Sequence, residues 1–449
     1  MRTAEKTIVR EGLGGDGRGV SRRGFLQTSA ALGAGLALPA VVPATVFGQL
    51  APSERITVGC IGVGRMGMGD LRDALGIKQV RVVAVCDVDS NRVKKAQSAV
   101  DSYYDDQGGC AGYGDFRDLL ARDDIDAVQI STPDHWHALP AIEAAKSGKD
   151  IFLQKPLSLT VQEGRVVSDT VRRYGRIFQI GSQQRSDARF RQACELVRNG
   201  RIGKLHAIRV GFGTDPGTGP EPAMPVPPEL DYDMWLGPAP WAPYTEKRVH
   251  PRKDYSRPGW LRITDYGAGM ITGWGSHHND IAQWGMGTEH TGPVEITGRA
   301  EFPTDGLWDV HGRFHIEYVY ANGVRVICAD NGENKQGIVF EGSEGSIYVR
   351  RGHIEAQPAS LLAETIGPEG TKLYMSNHHK ANFYECVKSR DETAAPVEVA
   401  HRSCSVCLLG QIAMRLNRKL RWDPEAEVFI GDAEASRMLS KPMRGHWHL

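Results

Sequence analysis

Three glycines, Gly62, Gly64 and Gly67, stand at G-x-G-x-x-G spacing between the apolar run 56–61 and a helical pattern carrying Leu71, Ala74 and Leu75. Glycines so placed suit dinucleotide phosphates. The first makes the tight turn, the second lets backbone approach a pyrophosphate, and the third lets helix and strand pack closely. Arg65 and Met66 fill the turn between them and are candidate cofactor contacts. A second apolar run, 80–85, follows, and Asp87 lies about 20 residues beyond the last glycine, where an acid meets the ribose. A carboxylate there accepts from a ribose 2′-hydroxyl and repels a 2′-phosphate, so NAD is expected in preference to NADP, with Arg92 as the nearby cation that works against that choice.

Alternating strand and helix patterns must position this turn. Strands are expected at 127–131, 151–153 and 177–180, separated by a helix with Ala138, Ala141, Ile142 and Ala145 on one face and by another opened by the capping-box pair Thr160 and Glu163. That grammar predicts a doubly wound α/β domain with a parallel sheet over residues 51–181. Gln154, Lys155 and Pro156 fall at the carboxyl end of a strand, where ligands bind in such sheets. Beyond residue 181 the pattern changes. A helix over 188–199 and a strand over 205–212 lead into a segment with nine prolines between Pro216 and Pro243. Strand-like runs at 294–300, 313–320, 324–329, 337–341 and 346–349 follow, with Asn322-Gly323 reading as a primed hairpin turn. Residues 182–449 are therefore expected to form a substrate or oligomerisation domain with a mostly antiparallel sheet, closed by helices near 382–389 and 403–418.

Composition narrows the function. The 449 residues carry 54 basic and 54 acidic side chains with 41% hydrophobic content. That balance gives no basic surface for nucleic acid, and no apolar run reaches the length of a membrane-crossing helix. Residues 1–50 read as a targeting segment. Ser21-Arg22-Arg23-Gly24-Phe25-Leu26 precedes a small-residue apolar stretch, the pattern of a twin-arginine export signal, so the twin-arginine machinery is an expected partner and a periplasmic or otherwise exported location follows. The eight cysteines read mostly as buried small hydrophobes, including the C-x-x-C pair Cys404 and Cys407 within a helical pattern. Histidine clusters at 135–137, 277–278 and 378–379 raise the question of a metal; none is expected, because neighbouring residues on a helix point apart.

Taken with Thr132-Pro133 and His137, Lys155-Pro156, and Gly267-Ala268-Gly269 leading to Gly275-Ser276-His277, the glycine turn and Asp87 make the chain resemble the Gfo/Idh/MocA oxidoreductases, nearest to their exported, glucose-fructose oxidoreductase-like branch. The resemblance implies a Rossmann domain followed by an α/β domain with a large open sheet. It implies that Lys155 and His277 are catalytic, that Thr132, Pro133 and His137 help hold the cofactor beside Lys155, and that subunits associate as a homo-oligomer. Chemistry agrees with those two roles: an ammonium orients and stabilises a developing alkoxide, and an imidazole titrates near the working pH. Two positions depart from the family pattern. Gln154 replaces a glutamate, where an amide can still accept a hydrogen bond. Gly273 stands where an aspartate is expected, which leaves the base open between His277, Lys155 and Asp280.

Trp136 is expected to pack near the nicotinamide. Gln183, Arg185, Trp235, Tyr244, Trp274, His278 and Asp280 are candidate sugar contacts, since aromatic rings stack on sugar faces and polar groups fix hydroxyls. The expected activity is hydride transfer to or from a sugar, polyol or glycoside hydroxyl. A redox-assisted NAD-dependent glycosidase or lyase and a non-catalytic sugar-binding relative are the alternatives. Export adds one expectation: NAD outside the cytoplasm has no ready pool, so the cofactor should be tightly held and regenerated in place.

Overall fold

The first sheet of the computed structural model, which describes residues 55–105 and 109–449, grows from the stretch that carries the glycines. The expected export signal lies outside the described residues. β1 (Ile56–Ile61), α1 (Arg65–Leu75), β2 (Val80–Cys86), α2 (Ser90–Tyr104), β3 (Ala111–Tyr113), α3 (Phe116–Leu120), β4 (Ala127–Ile130), α4 (Ala138–Lys146), β5 (Asp150–Leu153), α5 (Val161–Arg173) and β6 (Phe178–Ile180) alternate along the chain. All six strands run parallel in the order β3-β2-β1-β4-β5-β6. The order reverses beside β1, so a crevice opens at the carboxyl ends of β1 and β4, where α/β sheets bind ligands. Local sequence sets the helix starts. Asp89 caps α2 by accepting from the N–H groups of Asn91 and Arg92, and Thr160 and Glu163 form the full capping box of α5. β4 and β5 are buried along their whole length, as strands covered on both faces must be.

After α6 (Ala188–Arg198) the chain enters the second sheet with β7 (Leu205–Phe212). Two short helices, α7 (Tyr232–Leu236) and α8 (Met270–Gly273), lead to α9 (Gly275–Met286). Then come β8 (Glu295–Ala300), β9 (Phe314–Val319), β10 (Arg325–Asp330), β11 (Gly337–Gly342), β12 (Ser346–Arg350) and β13 (His353–Gln357). The chain closes with α10 (His379–Ser389), α11 (Val397–Leu416), β14 (Leu420–Asp423), β15 (Val428–Phe429) and α12 (Ala433–Arg437). The nine strands lie in the order β13-β12-β11-β7-β10-β9-β8-β14-β15. Every pair is antiparallel except β7 with β10, the exception arising because β7 is separated from the later meander by the long excursion through α7 to α9. β9 alternates buried and half-buried residues, the signature of a strand with one face on the core.

Two sequence readings change. The turn between β9 and β10 is not of the primed type: only Gly323 has a positive φ, +83°, and its N–H donates to the Tyr320 carbonyl at 2.9 Å. A primed turn needs a positive φ at its first central residue, which Ala321 lacks, and Asn322 instead accepts from Val324 N–H with its side chain. α11 starts six residues before the expected helix because Pro396, at its N-cap, needs no hydrogen bond of its own there. All eight cysteines are buried thiols, and Cys404 and Cys407 lie inside α11. α11 packs against α5 of the first sheet and against α9 and β8 of the second, so one helix ties both halves of the cleft to a common core.

Candidate active site

A cleft of ≈ 570 Å³ opens at the crevice of the first sheet, lined by residues of both sheets' connections. At one end is the glycine turn. Gly62 has φ +79°, and a Cβ there would meet the Ser131 carbonyl carbon at 2.8 Å, so only glycine serves. Gly67 does not line the cleft; a Cβ on it would lie 1.9 Å from the Gly62 carbonyl oxygen, which makes it the packing glycine of the turn. Gly64 caps α1 without a side chain, and no acid occupies the first turn, leaving the positive end of the helix open to an anion. Arg65 and Met66 line the cleft beside it.

Asp87 follows β2. Its Oδ2 accepts from Val63 N–H at 2.9 Å and its Oδ1 from Asp89 N–H at 3.0 Å, so the carboxylate is fixed before any ribose arrives. Burial raises its pKa, opposed by the Arg92 guanidinium and those backbone donors. These features fit a dinucleotide: an open helix start for the pyrophosphate and a fixed acid for the ribose.

The 132–137 segment forms the middle of the cleft. His135 Nε2 and Trp136 Nε1 both meet the Trp235 carbonyl, each at 3.0 Å, and latch this segment to α7. His137 turns Nε2 to the Thr132 carbonyl and Nδ1 to the Pro156 carbonyl, so it joins the two loops that carry Thr132 and Lys155. Trp136 lines the cleft with its far side packed edge-on against Trp447 from the C-terminal tail, ring centroids 4.9 Å apart.

Lys155 and His277 face the same cleft although 122 residues separate them in sequence. Burial lowers the Lys155 ammonium's pKa, Asp134 opposes that, and Arg257, Arg351 and Arg65 add to it. His277 stands in the first turn of α9, buried, with Nδ1 unpartnered. Burial and then the Lys155 charge hold its pKa well below the ordinary value, and the helix N-terminus acts in the same direction. These influences disfavour the imidazolium, so the ring rests neutral. Trp274 lines the same end with the Arg351 guanidinium 4.7 Å above its ring, and Gln183 and Trp235 complete it.

Four expected sugar contacts stand elsewhere. Arg185 and Asp280 bind each other at 2.7 and 2.9 Å in a buried pair that Ser403 also joins, because two opposite charges taken out of water must satisfy one another. They hold the Gln183 segment against α9 and are positioning residues; Asp280 is thereby removed from the list of bases. His278 binds the Gly211 carbonyl through Nδ1, securing α9 to β7. Tyr244 packs edge-on against Tyr232, 5.4 Å between centroids, in a small apolar cluster under the proline-rich segment. Of the third histidine cluster, His378 caps α10 and His379 binds Ser186 and the Ile180 carbonyl.

Gln154 acts differently from expectation. Its Nε2 donates to both carboxylate oxygens of Asp70, at 3.1 and 3.0 Å, and Ser131 and Lys380 bind the same carboxylate. A glutamate at 154 would put two buried acids side by side; the amide is required by Asp70. Sequence reading passed over Asp134, Arg257 and Arg351 in the cleft. Asp134 had a signal, an acid between Pro133 and the histidines at the end of a strand, whereas Arg351 reaches the cleft from the β12–β13 turn of the second sheet and had none.

A parallel sheet with a glycine turn, an uncapped helix start and an acid after β2, joined to a second domain that walls the same cleft, defines a two-domain protein built around a dinucleotide-binding crevice. The "Oxidoreductase family, NAD-binding Rossmann fold" matches residues 56–182 and the "Oxidoreductase family, C-terminal alpha/beta domain" residues 216–449, and the chain belongs to this Gfo/Idh/MocA family. It is 32% identical over 181 residues to the uncharacterized oxidoreductase YrbE of Bacillus subtilis, covering 40% of this chain and 48% of the relative. It is 35% identical over 161 residues to glycosyl hydrolase family 109 protein 2 of Shewanella sp. strain ANA-3, covering 32% and 35%. The chain thus spans about half or less of these relatives. Among solved structures, the WlbA dehydrogenase of Bordetella pertussis with NADH and UDP-GlcNAcA aligns at TM-score 0.60 and 15% identity over 82% of this chain and 99% of that one. A levoglucosan dehydrogenase with NADH and L-sorbose aligns at TM-score 0.60 and 16% identity, with the same coverage of both. At such identities these neighbours establish the fold.

Proposed function

We propose that this chain is an exported oxidoreductase that moves hydride to or from a hydroxyl of a sugar, polyol or glycoside, with NAD retained through the cycle. The observation that carries the proposal is one continuous cleft, in which the glycine turn and Asp87 line the same space as Lys155, His277 and Gln183. When bound, the dinucleotide supplies the hydride acceptor. Lys155 then orients the hydroxyl oxygen and offsets its developing negative charge, and the neutral His277 ring can take or return a proton. Trp274 and Trp235 offer apolar faces to a sugar ring, and Gln183 can fix a hydroxyl.

NAD in preference to NADP rests on the fixed carboxylate of Asp87. Retention draws support from the α7 segment, which is stitched down beside that acid: Ser90 N–H donates to the Glu229 carbonyl at 2.9 Å and Asp231 N–H to the Val88 carbonyl at 2.9 Å. Export rests on the arginine pair Arg22-Arg23 and the residues after it. Self-association as a homo-oligomer belongs to the same reading. The names of the Shewanella relatives favour one second reading, in which oxidation of a sugar hydroxyl acidifies a neighbouring C–H so that a glycosidic bond is eliminated and the hydride is then returned.

Purification from the exported fraction without added nucleotide, followed by denaturation and assay of released NAD, tests export and retention together; light scattering on the same material gives the subunit number. Incubation with aldoses, polyols and methyl glycosides, read by nicotinamide absorbance and product mass, separates the two reactions. Protein that is empty as purified and releases NADH on each turnover refutes retention. Neither oxidation nor cleavage across the panel refutes the catalytic reading.

A further inference from the structure

The acids that line the cleft are Asp87 and Asp134, whereas Arg65, Arg92, Lys155, Arg257 and Arg351 line it as cations. Arg92 lies with Asp87, and Arg65 sits in the glycine turn at the start of α1. That leaves Lys155, Arg257 and Arg351 at the substrate end against the one carboxyl of Asp134. Arg257 is only partly answered from within the protein. Its Nη2 donates to Asp215 Oδ1 at 3.3 Å, but Arg262 Nε donates to the same oxygen at 3.2 Å, so one buried acid serves two guanidinium groups. Arg351 has less. The β12–β13 turn carries it over Trp274, 4.7 Å from the ring centroid, and no hydrogen bond or ion pair to a described residue engages its guanidinium. The acid that acts on it from a distance, Asp187, already caps α6 and stands 3.7 Å from Arg189.

We propose that Arg351, laid over Trp274 and backed by Arg257, is an anion subsite, and that the substrate is a sugar or glycoside bearing a carboxylate or a phosphate group. This names the substrate class for the oxidoreductase reading above and rests on it. A guanidinium held over an aromatic face keeps its edge N–H groups free, and that planar fork matches two oxygens of a carboxylate or phosphate. The dinucleotide phosphates do not need it, because the uncapped start of α1 and Arg65 serve them at the other end.

The surroundings agree. Trp274 also stands edge-on to His277, ring centroids 6.0 Å apart, so one aromatic ring separates the guanidinium from the imidazole. An anionic group on Arg351 therefore leaves the rest of a monosaccharide against Trp274, beside His277 and Lys155. Arg351 is exposed as a residue, yet burial against the cleft wall lowers the guanidinium's pKa, with Asp187 opposing. A cation that is partly stripped of water and unpaired gains from a bound anion, and a neutral sugar would leave it unanswered.

Binding gives a test into which turnover does not enter. NAD-loaded protein is titrated calorimetrically with matched sets in the gluco, galacto and manno series, each set comprising the uronic acid, the sugar 6-phosphate and the neutral aldose. In at least one series an anionic member should bind ~10–100-fold more tightly than its neutral partner, the range of a charge-assisted hydrogen bond, and Arg351→Gln should abolish that ratio. Whether the uronic acid or the phosphate gains assigns the source of the anion. Anionic members that bind no better than neutral ones in every series, or not at all, overturn the subsite, as does a preference that survives Arg351→Gln. If the variant does not fold, the wild-type ratio still decides. Nicotinamide absorbance on the same panel separates the two claims. Oxidation of neutral sugars with no preference for the anion overturns this inference and leaves the oxidoreductase reading standing. An anion preference lost in Arg351→Gln, with no oxidation of any member, supports the subsite and counts against that reading alone.

Discussion

At the dinucleotide end of the cleft the groups that matter are backbone and one acid, all within the single stretch from Ile56 to Asp87, and neighbours in sequence are neighbours in space. At the substrate end, Asp134, Lys155, Gln183, His277 and Arg351 arrive from five separated segments across both sheets. The first end is a local solution whose geometry a short motif encodes. The second depends on long-range packing, with α11 and the buried Arg185–Asp280 pair holding the pieces in register. Damage should therefore look different at the two ends: loss of fold and cofactor at one, loss of chemistry with cofactor retained at the other.

The largest effect is expected at the substrate end. Lys155→Ala should lower turnover by ~10²–10⁴-fold while NAD still binds, because the ammonium acts on the developing alkoxide and lies outside the phosphate turn. Calorimetric titration of NAD beside steady-state rates makes the check; near-normal turnover would remove Lys155 from the mechanism.

Gly67→Ala comes next, at the other end. The new Cβ would be 1.9 Å from a backbone carbonyl that cannot move without breaking the turn, so a loss of about 1–3 kcal/mol and weakened NAD binding are expected. Gly69→Ala, two residues further along the same helix, has nothing within 4 Å and should instead stabilise by about 0.4–1 kcal/mol. Thermal melts of the two variants side by side decide whether close approach, and not glycine content, governs this end.

How much of this was visible in the sequence follows the same division. The parallel sheet, the tight turn at Gly62, the close packing at Gly67 and the capping box of α5 were legible because they depend on residues a few positions apart. The meander from β8 to β12 was legible by alternation, but β13 and β14 were not: β13 is an edge strand with no fully buried residue to mark a face, and β14 is a four-residue strand whose partner β8 is remote in sequence. Arg185 and Asp280 have the residue types of sugar ligands, and no spacing rule says that they find each other across 95 positions. Gln154 looked like a weakened acid until Asp70 and Lys380 gave the amide a reason.

That reason can be tested. Gln154→Glu should set a second buried carboxylate against Asp70, whose Lys380 partner already serves Asp73 as well, and cost about 1–3 kcal/mol. Like charge and burial raise the pKa of the new acid in the folded state, so the penalty is absent below its ordinary value and grows as pH rises through the raised one. Adding Asp70→Asn should restore part of the loss. Melting curves that do not depend on pH would mean that Asp70 does not set the residue at 154.

The smallest effect concerns Gly273, where the two ends of the comparison meet in one residue: a glycine that lines the cleft yet is not required by packing or backbone. Its φ is not in the left-handed region, and a Cβ would find Met270 Sδ no closer than 4.0 Å. An unstrained glycine in a helical turn mainly adds freedom to the unfolded chain, so Gly273→Ala should raise stability by about 0.4–1 kcal/mol. If the glycine matters only as the absence of an acid, the alanine variant keeps wild-type turnover and NAD affinity while its Tm rises. A rise in KM for the sugar or glycoside at unchanged kcat would instead mean that substrate occupies the space beside Met270, and that this glycine, unlike Gly62 and Gly67, is there for the ligand's shape and not for the chain's.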